Sequence, residues 1–236
     1  KTMKHEFIQT DNYLMCLEAI QELQMLPRDM EKMGLFYGNA GRGKSLIIEK
    51  LALDQGAALV RTLGGWSPKS MLIDICDALE IDDTGTTASL QRKIIDELAY
   101  TKKILIIDEI DTLFQSNKKI CLLMLRDIHD VARTPIVLTG MEQCEKKFKR
   151  DTHYYDRFSR KIKMSVTTEN DISRLCKNSE YPIESDLIKY FFEKYGSFRP
   201  IKGIITVLEK YCETNDIDSV DLKTFHASGA ERVYAK

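Results

Sequence analysis

From residue 34 to about residue 165, short apolar runs alternate with stretches whose apolar residues fall three and four apart. The runs 35–37, 58–62, 104–107, 136–139 and 162–166 are too short for helices and are flanked by Gly, Pro or charge, which predicts five strands. The intervening stretches 45–54, 70–79, 90–100 and 119–131 carry helical spacing. Strand and helix in alternation predict a parallel sheet flanked by helices. Ser67-Pro68 reads as an N-cap followed by a first-turn proline.

Beyond residue 166 the strand signal stops. Thr168-x-x-Asp171 and Ser185-x-x-Ile188 read as helix starts, Gly196 as a helix stop and Pro200 as another first-turn proline. The expected organisation is an αβα domain over 1–166, led by a helical segment over 1–33, and a small helical lid over 167–236. Because the chain opens at Lys1 rather than methionine, a further N-terminal module ahead of it belongs to the same expectation. With 236 residues there is enough chain to bury a large core. The net charge of -1 removes any global attraction to polyanions, so contact with nucleic acid would need a local patch. Six cysteines lie scattered without a CxxC pair or zinc spacing, which predicts reduced core thiols and a cytoplasmic setting. No apolar stretch approaches the length of a membrane span.

The most specific chemistry lies in Gly38-Asn39-Ala40-Gly41-Arg42-Gly43-Lys44-Ser45, a full match to G-x-x-x-x-G-K-[ST] between a predicted strand and a predicted helix. Glycines let the backbone curl until several N–H groups face phosphate oxygens at the positive end of the next helix, which continues through Leu46. Lys44 would reach the β- and γ-phosphates of ATP, and the Ser45 hydroxyl would ligate Mg2+. The run 104–107 ends in Asp108-Glu109. Carboxylates at the carboxyl end of a buried strand need a cation or water to face. Asp108 would hold Mg2+ through water, and Glu109 would polarise the water attacking the γ-phosphate. Asp111 reads as a helix cap or surface residue.

With these motifs in view, the chain resembles AAA+ P-loop ATPases, and among them the Mu B-type, TnsC-like DNA-transposition ATPases. Beyond the P-loop and the acidic strand, the resemblance rests on Leu125-Arg-Asp-Ile-His-Asp130 with Pro135-Ile-Val-Leu-Thr-Gly140, and on Gly196-Ser-Phe-Arg-Pro-Ile201. It implies a five-stranded parallel sheet with an all-α lid, and ATP hydrolysis between neighbouring copies. Thr139 falls where the family has sensor 1, Arg199 at sensor 2, and Arg157 or Arg160 at the arginine finger, with Arg160 preferred. The segment ending at Thr10 falls beside the adenine. The resemblance further implies assembly as a hexameric ring or helical filament on double-stranded DNA, without strong sequence preference, and recruitment of a transposase. Trp66 and Lys69 on one loop, and Lys118 and Lys119 on another, are the expected DNA contacts, since backbone recognition needs exposed cations and aromatics. Lys146-Lys147-x-Lys149-Arg150, interleaved with acids, reads as solvated or subunit-facing. Two other functions share the core: a replication initiator or helicase loader, and a signalling or secretion-associated NTPase that never touches DNA. An initiator ordinarily adds a DNA-reading module after the lid, and the segment following Ile201 is too short for one.

Overall fold

The structure is a computed structural model, and it describes residues 7–39, 43–115 and 118–233. Five parallel strands form one sheet: β1 (Met33–Tyr37), β2 (Ala58–Arg61), β3 (Leu105–Asp108), β4 (Ile136–Gly140) and β5 (Phe158–Lys163). Their spatial order is β2-β3-β4-β1-β5. β1, β3 and β4 are buried at every position, as expected for parallel strands covered on both faces. Helices α1 (Asp11–Met25), α2 (Lys44–Gln55), α3 (Pro68–Ala78), α4 (Thr87–Thr101), α5 (Lys119–Ala132), α6 (Gln143–Lys149) and α7 (Thr152–Tyr155) complete this part. The expected αβα sheet is present, and four of its five strands lie within a few residues of their predicted positions.

β5 is the exception. It runs from Phe158 to Lys163 rather than over 162–166, so Arg160 lies inside the strand and only Arg157 precedes it. The displacement has a physical cause. β5 is an edge strand, and Phe158 is buried while Lys161 and Lys163 are exposed. An alternating, lysine-bearing strand leaves no continuous apolar run.

Two compact units divide the chain: Asn12–Met164, holding the sheet, and Ser165 onward together with the residues up to Asp11. The second unit contains α8 (Glu169–Cys176), α9 (Ser185–Lys194), α10 (Phe198–Asn215) and α11 (Leu222–Ser228) around a core of Ile172, Leu187, Phe191, Ile204, Leu208 and Phe225. Thr168 caps α8 through a reciprocal bond pair with Asp171. Gly196 adopts φ +57° directly after α9. Ile8 packs on this helical core, and the Arg174 guanidinium donates to the Gln9 carbonyl at 2.8 Å and to Asp11 at 2.9 Å. All six cysteines are buried and unbridged. Among the described residues, no helix is long and apolar enough to cross a membrane.

Candidate nucleotide site

The carboxyl ends of β1, β2, β3 and β4 bring the chemistry-bearing residues to one edge of the sheet. α2 starts at Lys44, with Gly43 before it at φ +74°, a backbone conformation that side chains with a Cβ resist. At Gly38 the constraint is space, because a Cβ there would stand 2.9 Å from the Met164 carbonyl oxygen. The Lys44 ammonium donates to the carbonyls of Gly38 and Asn39, each at 2.8 Å, and so lies back over its own loop. Burial holds its pKa below the usual lysine value, opposed by the nearby carboxylates of Asp111, Asp108 and Glu109. Ser45 is half-buried in the first turn of α2, whereas Leu46 is 52% exposed. Ala40, Gly41 and Arg42 lie outside the described residues.

Asp108 is buried, with 2% of its surface exposed. Its Oδ1 accepts from the Thr139 hydroxyl of β4 and from the Glu109 amide at 2.9 Å. Oδ2 is buried with no hydrogen-bond partner. An unbonded carboxylate oxygen inside a protein costs of order 1–3 kcal/mol, and more when charged. That unbonded carboxylate oxygen is a hard donor of the kind that holds Mg2+ or its water shell, and the P-loop string offers the Ser45 hydroxyl as a second. Glu109 follows with φ +60°, and the left-handed backbone turns its side chain outward to 58% exposure. Such a conformation costs a non-glycine residue about 1–2 kcal/mol.

One contributor has no counterpart in the sequence expectations. Arg61 ends β2 in register with Asp108. Its Nε lies 3.6 Å from Asp108 Oδ2 and 3.8 Å from Glu109 Oε1, while an Nη donates to Glu49 of α2 at 2.9 Å. The hydrogen bond to Glu49, ahead of opposing burial, raises its pKa. A lone arginine closing the apolar run 58–60 was the available signal. Asp111 ties the next turn together: its Oδ2 accepts from the Met141 amide at 2.8 Å and its Oδ1 from the Cys144 thiol at 3.0 Å, just ahead of and inside α6.

The two candidate finger arginines differ in how firmly they are held. Arg157 pairs with Glu31 at 2.5 Å and Asp130 at 3.2 Å. Arg160 reaches Glu22, a carboxylate that is itself 44% exposed, and the Ser159 carbonyl. Arg199 is exposed in the first turn of α10, and Thr10 is buried; both belong to the helical unit.

Two expected DNA contacts need correction. Trp66 does not tip an exposed loop: it is 4% exposed, packs in the main core and donates its indole N–H to Asp74 of α3 at 2.6 Å. Lys118 is 8% exposed, and its ammonium donates to the Gly64 carbonyl, which ties together the two loops that carried the expectation. Lys69 and Lys119 are exposed.

Glu31, His129 and Asp130 bring their ligand atoms within 4.8 Å of one another, yet the chemistry opposes a metal. His129 Nε2 accepts from the Lys32 amide at 3.0 Å, so Nδ1 carries the proton and faces Asp130 at 3.1 Å. Arg157 and Arg133 already neutralise the carboxylates. Burial lowers the His129 pKa, against the raising effect of the Asp130 hydrogen bond and of the neighbouring carboxylates. Below about pH 6.5, the ordinary histidine value, the unfolded chain takes up a proton that folded His129 resists. Stability contributed by neutral His129 is therefore present above that value and lost as pH falls. Melting temperatures at pH 7.5 and 5.5 should differ more for the native chain than for His129→Gln, and equal differences would contradict this assignment.

No curated protein matches the chain in sequence. By fold it is similar to ORC2 of Aeropyrum pernix, solved in ADPNP-ADP complexes, with TM-score 0.72 and 13% identity over 100% of this chain and 70% of that one. ORC1 of the same organism, solved in complex with DNA, gives 0.58 and 14% over 97% and 66%. Domain III of the Thermotoga maritima replication initiation protein DnaA gives 0.58 and 18%, each chain covered by 100%. A family model described as an AAA domain matches residues 28–148, from ahead of β1 to the end of α6. The chain belongs to the AAA domain family and is a nucleotide-binding AAA+ ATPase.

Proposed function

We propose that this chain hydrolyses ATP to control its own assembly on double-stranded DNA, in the manner of replication initiators and helicase loaders. The observation that carries the reading is fold similarity along the whole chain to ORC2 and DnaA domain III, joined to the intact phosphate site. An ORC1 protein of the same fold was solved with DNA, which supports duplex DNA as the partner here.

Within the site, Lys44 would leave the Gly38 and Asn39 carbonyls to engage the β- and γ-phosphates. Ser45 and Asp108 would hold Mg2+, which supplies charge neutralisation on the phosphates when bound. Glu109 would accept the proton of the attacking water, with Thr139 fixing the Asp108 carboxylate beside it. Arg61 would hold Asp108 and Glu109 when the site is empty. Arg160 is the better candidate for the trans finger, because its one carboxylate partner is exposed and readily exchanged, and Arg157 serves the Glu31–Asp130 network. Arg160→Ala should cut turnover of the assembled protein at least tenfold with little loss of stability. Arg157→Ala should chiefly lower the melting temperature. The reverse pattern would overturn the assignment. Arg199 and the Thr10 segment would have the roles of sensor 2 and adenine neighbour that the family resemblance implies.

The strings 125–130 and 135–140 support a second reading, a Mu B-type transposition regulator that recruits a transposase; here they form the end of α5 and β4. Electron microscopy with a non-hydrolysable ATP analogue and duplex DNA separates the readings. Binding confined to particular sequences favours the initiator reading. Rings or filaments on any duplex favour the transposition regulator. Absence of any association with DNA overturns both.

A further inference from the structure

With Trp66 and Lys118 taken up by the fold, another stretch of the chain draws attention by its positive charge. Residues 142–163, from the turn before α6 to the end of β5, carry eight Lys/Arg against four Asp/Glu in a chain whose net charge is -1. Three of the four acids there are engaged, and Asp156 is exposed at the end of α7. Glu142 pairs with Lys163 at 2.5 Å, Glu145 pairs with Lys149 at 2.8 Å and accepts from the Tyr155 hydroxyl at 3.3 Å, and Asp151 accepts from the Tyr154 amide as the α7 cap.

What remains is a group of cations on α6, just beyond it and on β5, two of which meet at one ring. Lys161 Nζ lies 4.4 Å from the Tyr155 ring centroid and Lys149 Nζ lies 5.8 Å from it, so the ring gathers two ammonium groups from different elements. Lys146 and Arg150 are exposed on α6 and just beyond it, and with Lys161 they have no carboxylate within ion-pair distance among the described residues, although Lys146 acts at longer range on Glu142. The Glu142–Lys163 pair and the shared Tyr155 ring join the end of β5 to α6. Lysines on an edge strand guard against stray strand pairing, which accounts for Lys161 and Lys163. Cations in the last turn of a helix complement its dipole, which accounts for Lys146 and Lys149. Neither effect requires that Lys146, Arg150 and Lys161 all stay free of an ion pair.

We infer that the surface formed by Lys146, Arg150 and Lys161 beside Tyr155 is a binding surface for the sugar-phosphate backbone of duplex DNA. The inference rests on the DNA-assembling reading above and names the surface that reading lacked. Recognition is by charge, so it is independent of sequence and falls steeply with salt. Each phosphate contact contributes about 0.9 to the slope of log K against log salt.

The test measures binding of a labelled random-sequence duplex by fluorescence anisotropy, with the full chain, Mg2+ and a non-hydrolysable ATP analogue, over a range of salt. The triple variant Lys146→Ala/Arg150→Ala/Lys161→Ala should bind at least about tenfold more weakly at 0.1 M salt, with a salt slope shallower by about 2–3. Its melting temperature and its ATP turnover without DNA should match the native chain. Lys69→Ala/Lys119→Ala should change the slope by less. If the native chain binds and the triple variant binds equally with the same slope, this surface is wrong while the DNA reading stands. If the native chain binds no random-sequence duplex at any salt, this surface falls, and binding that is then confined to particular sequences leaves the initiator reading standing. If the triple variant loses self-association in the absence of DNA, the patch faces a second copy of the chain and the inference is overturned.

Discussion

Glu109→Gln is expected to lower ATP turnover by about a hundredfold or more while leaving ATP binding intact, because a positioned general base contributes on the order of 10²–10⁴ in rate. The geometry gives the reason. Glu109 adopts a left-handed backbone conformation that a chain without need of an outward-facing carboxylate would avoid, and its Oε1 is met by Arg61 at 3.8 Å. Glutamine preserves shape and backbone but cannot take a proton. Since the side chain is more than half exposed and no hydrogen bond of the fold depends on its charge, the melting temperature should stay within about a degree. Single-turnover hydrolysis alongside equilibrium binding of a fluorescent nucleotide checks both halves. A variant that hydrolyses ATP at the native rate would remove Glu109 from the mechanism, and one that no longer binds would make it a binding residue.

The second large effect concerns Lys44. Lys44→Ala should weaken ATP binding by at least about a hundredfold, ~2.7 kcal/mol, since it removes the ammonium held at the Gly38 and Asn39 carbonyls, at the start of the string that would cradle the phosphates. The native ammonium is bonded to two loop carbonyls, and burial already disfavours its charged form. A triphosphate would relieve that burial by supplying opposite charge, so the lysine gains more from the ligand than a solvated surface lysine would. Lys44→Arg should not restore full affinity, because a planar guanidinium does not fit a place shaped for a compact ammonium. Displacement of a labelled nucleotide by unlabelled ATP gives the affinities. Native affinity in Lys44→Ala would place the phosphates elsewhere.

Much of this arrangement was legible from residue order because its signals are local. The P-loop is a contiguous string, and a buried parallel strand must read as an apolar run, so β1, β3 and β4 announced themselves and Asp108-Glu109 fell at a strand end. β5 escaped because an edge strand has one wet side, which breaks the run into Phe158, Ile162 and Met164 among charges. Trp66 misled for a different reason. Its loop context suggested exposure, and only the fold brings the Asp74 carboxylate to the indole N–H. Arg61 and the Glu31–His129–Asp130–Arg157 network join residues distant in sequence, which no local pattern encodes. The basic run 146–150 looked neutralised by its interleaved acids. The structure turns Glu142 and Glu145 toward Lys163, Lys149 and Tyr155 and Asp151 toward the Tyr154 amide, and leaves Lys146 and Arg150 without an ion pair.

Isothermal titration calorimetry of the folded chain with Mg2+ and a non-hydrolysable ATP analogue tests the nucleotide site most directly. Saturable heat with one nucleotide per chain, lost when Mg2+ is chelated and the analogue replaced by AMP, is the predicted result. A chain that is folded by circular dichroism and gives no heat with any adenine triphosphate would contradict the assignment of the Lys44–Asp108 edge as a phosphate and metal site.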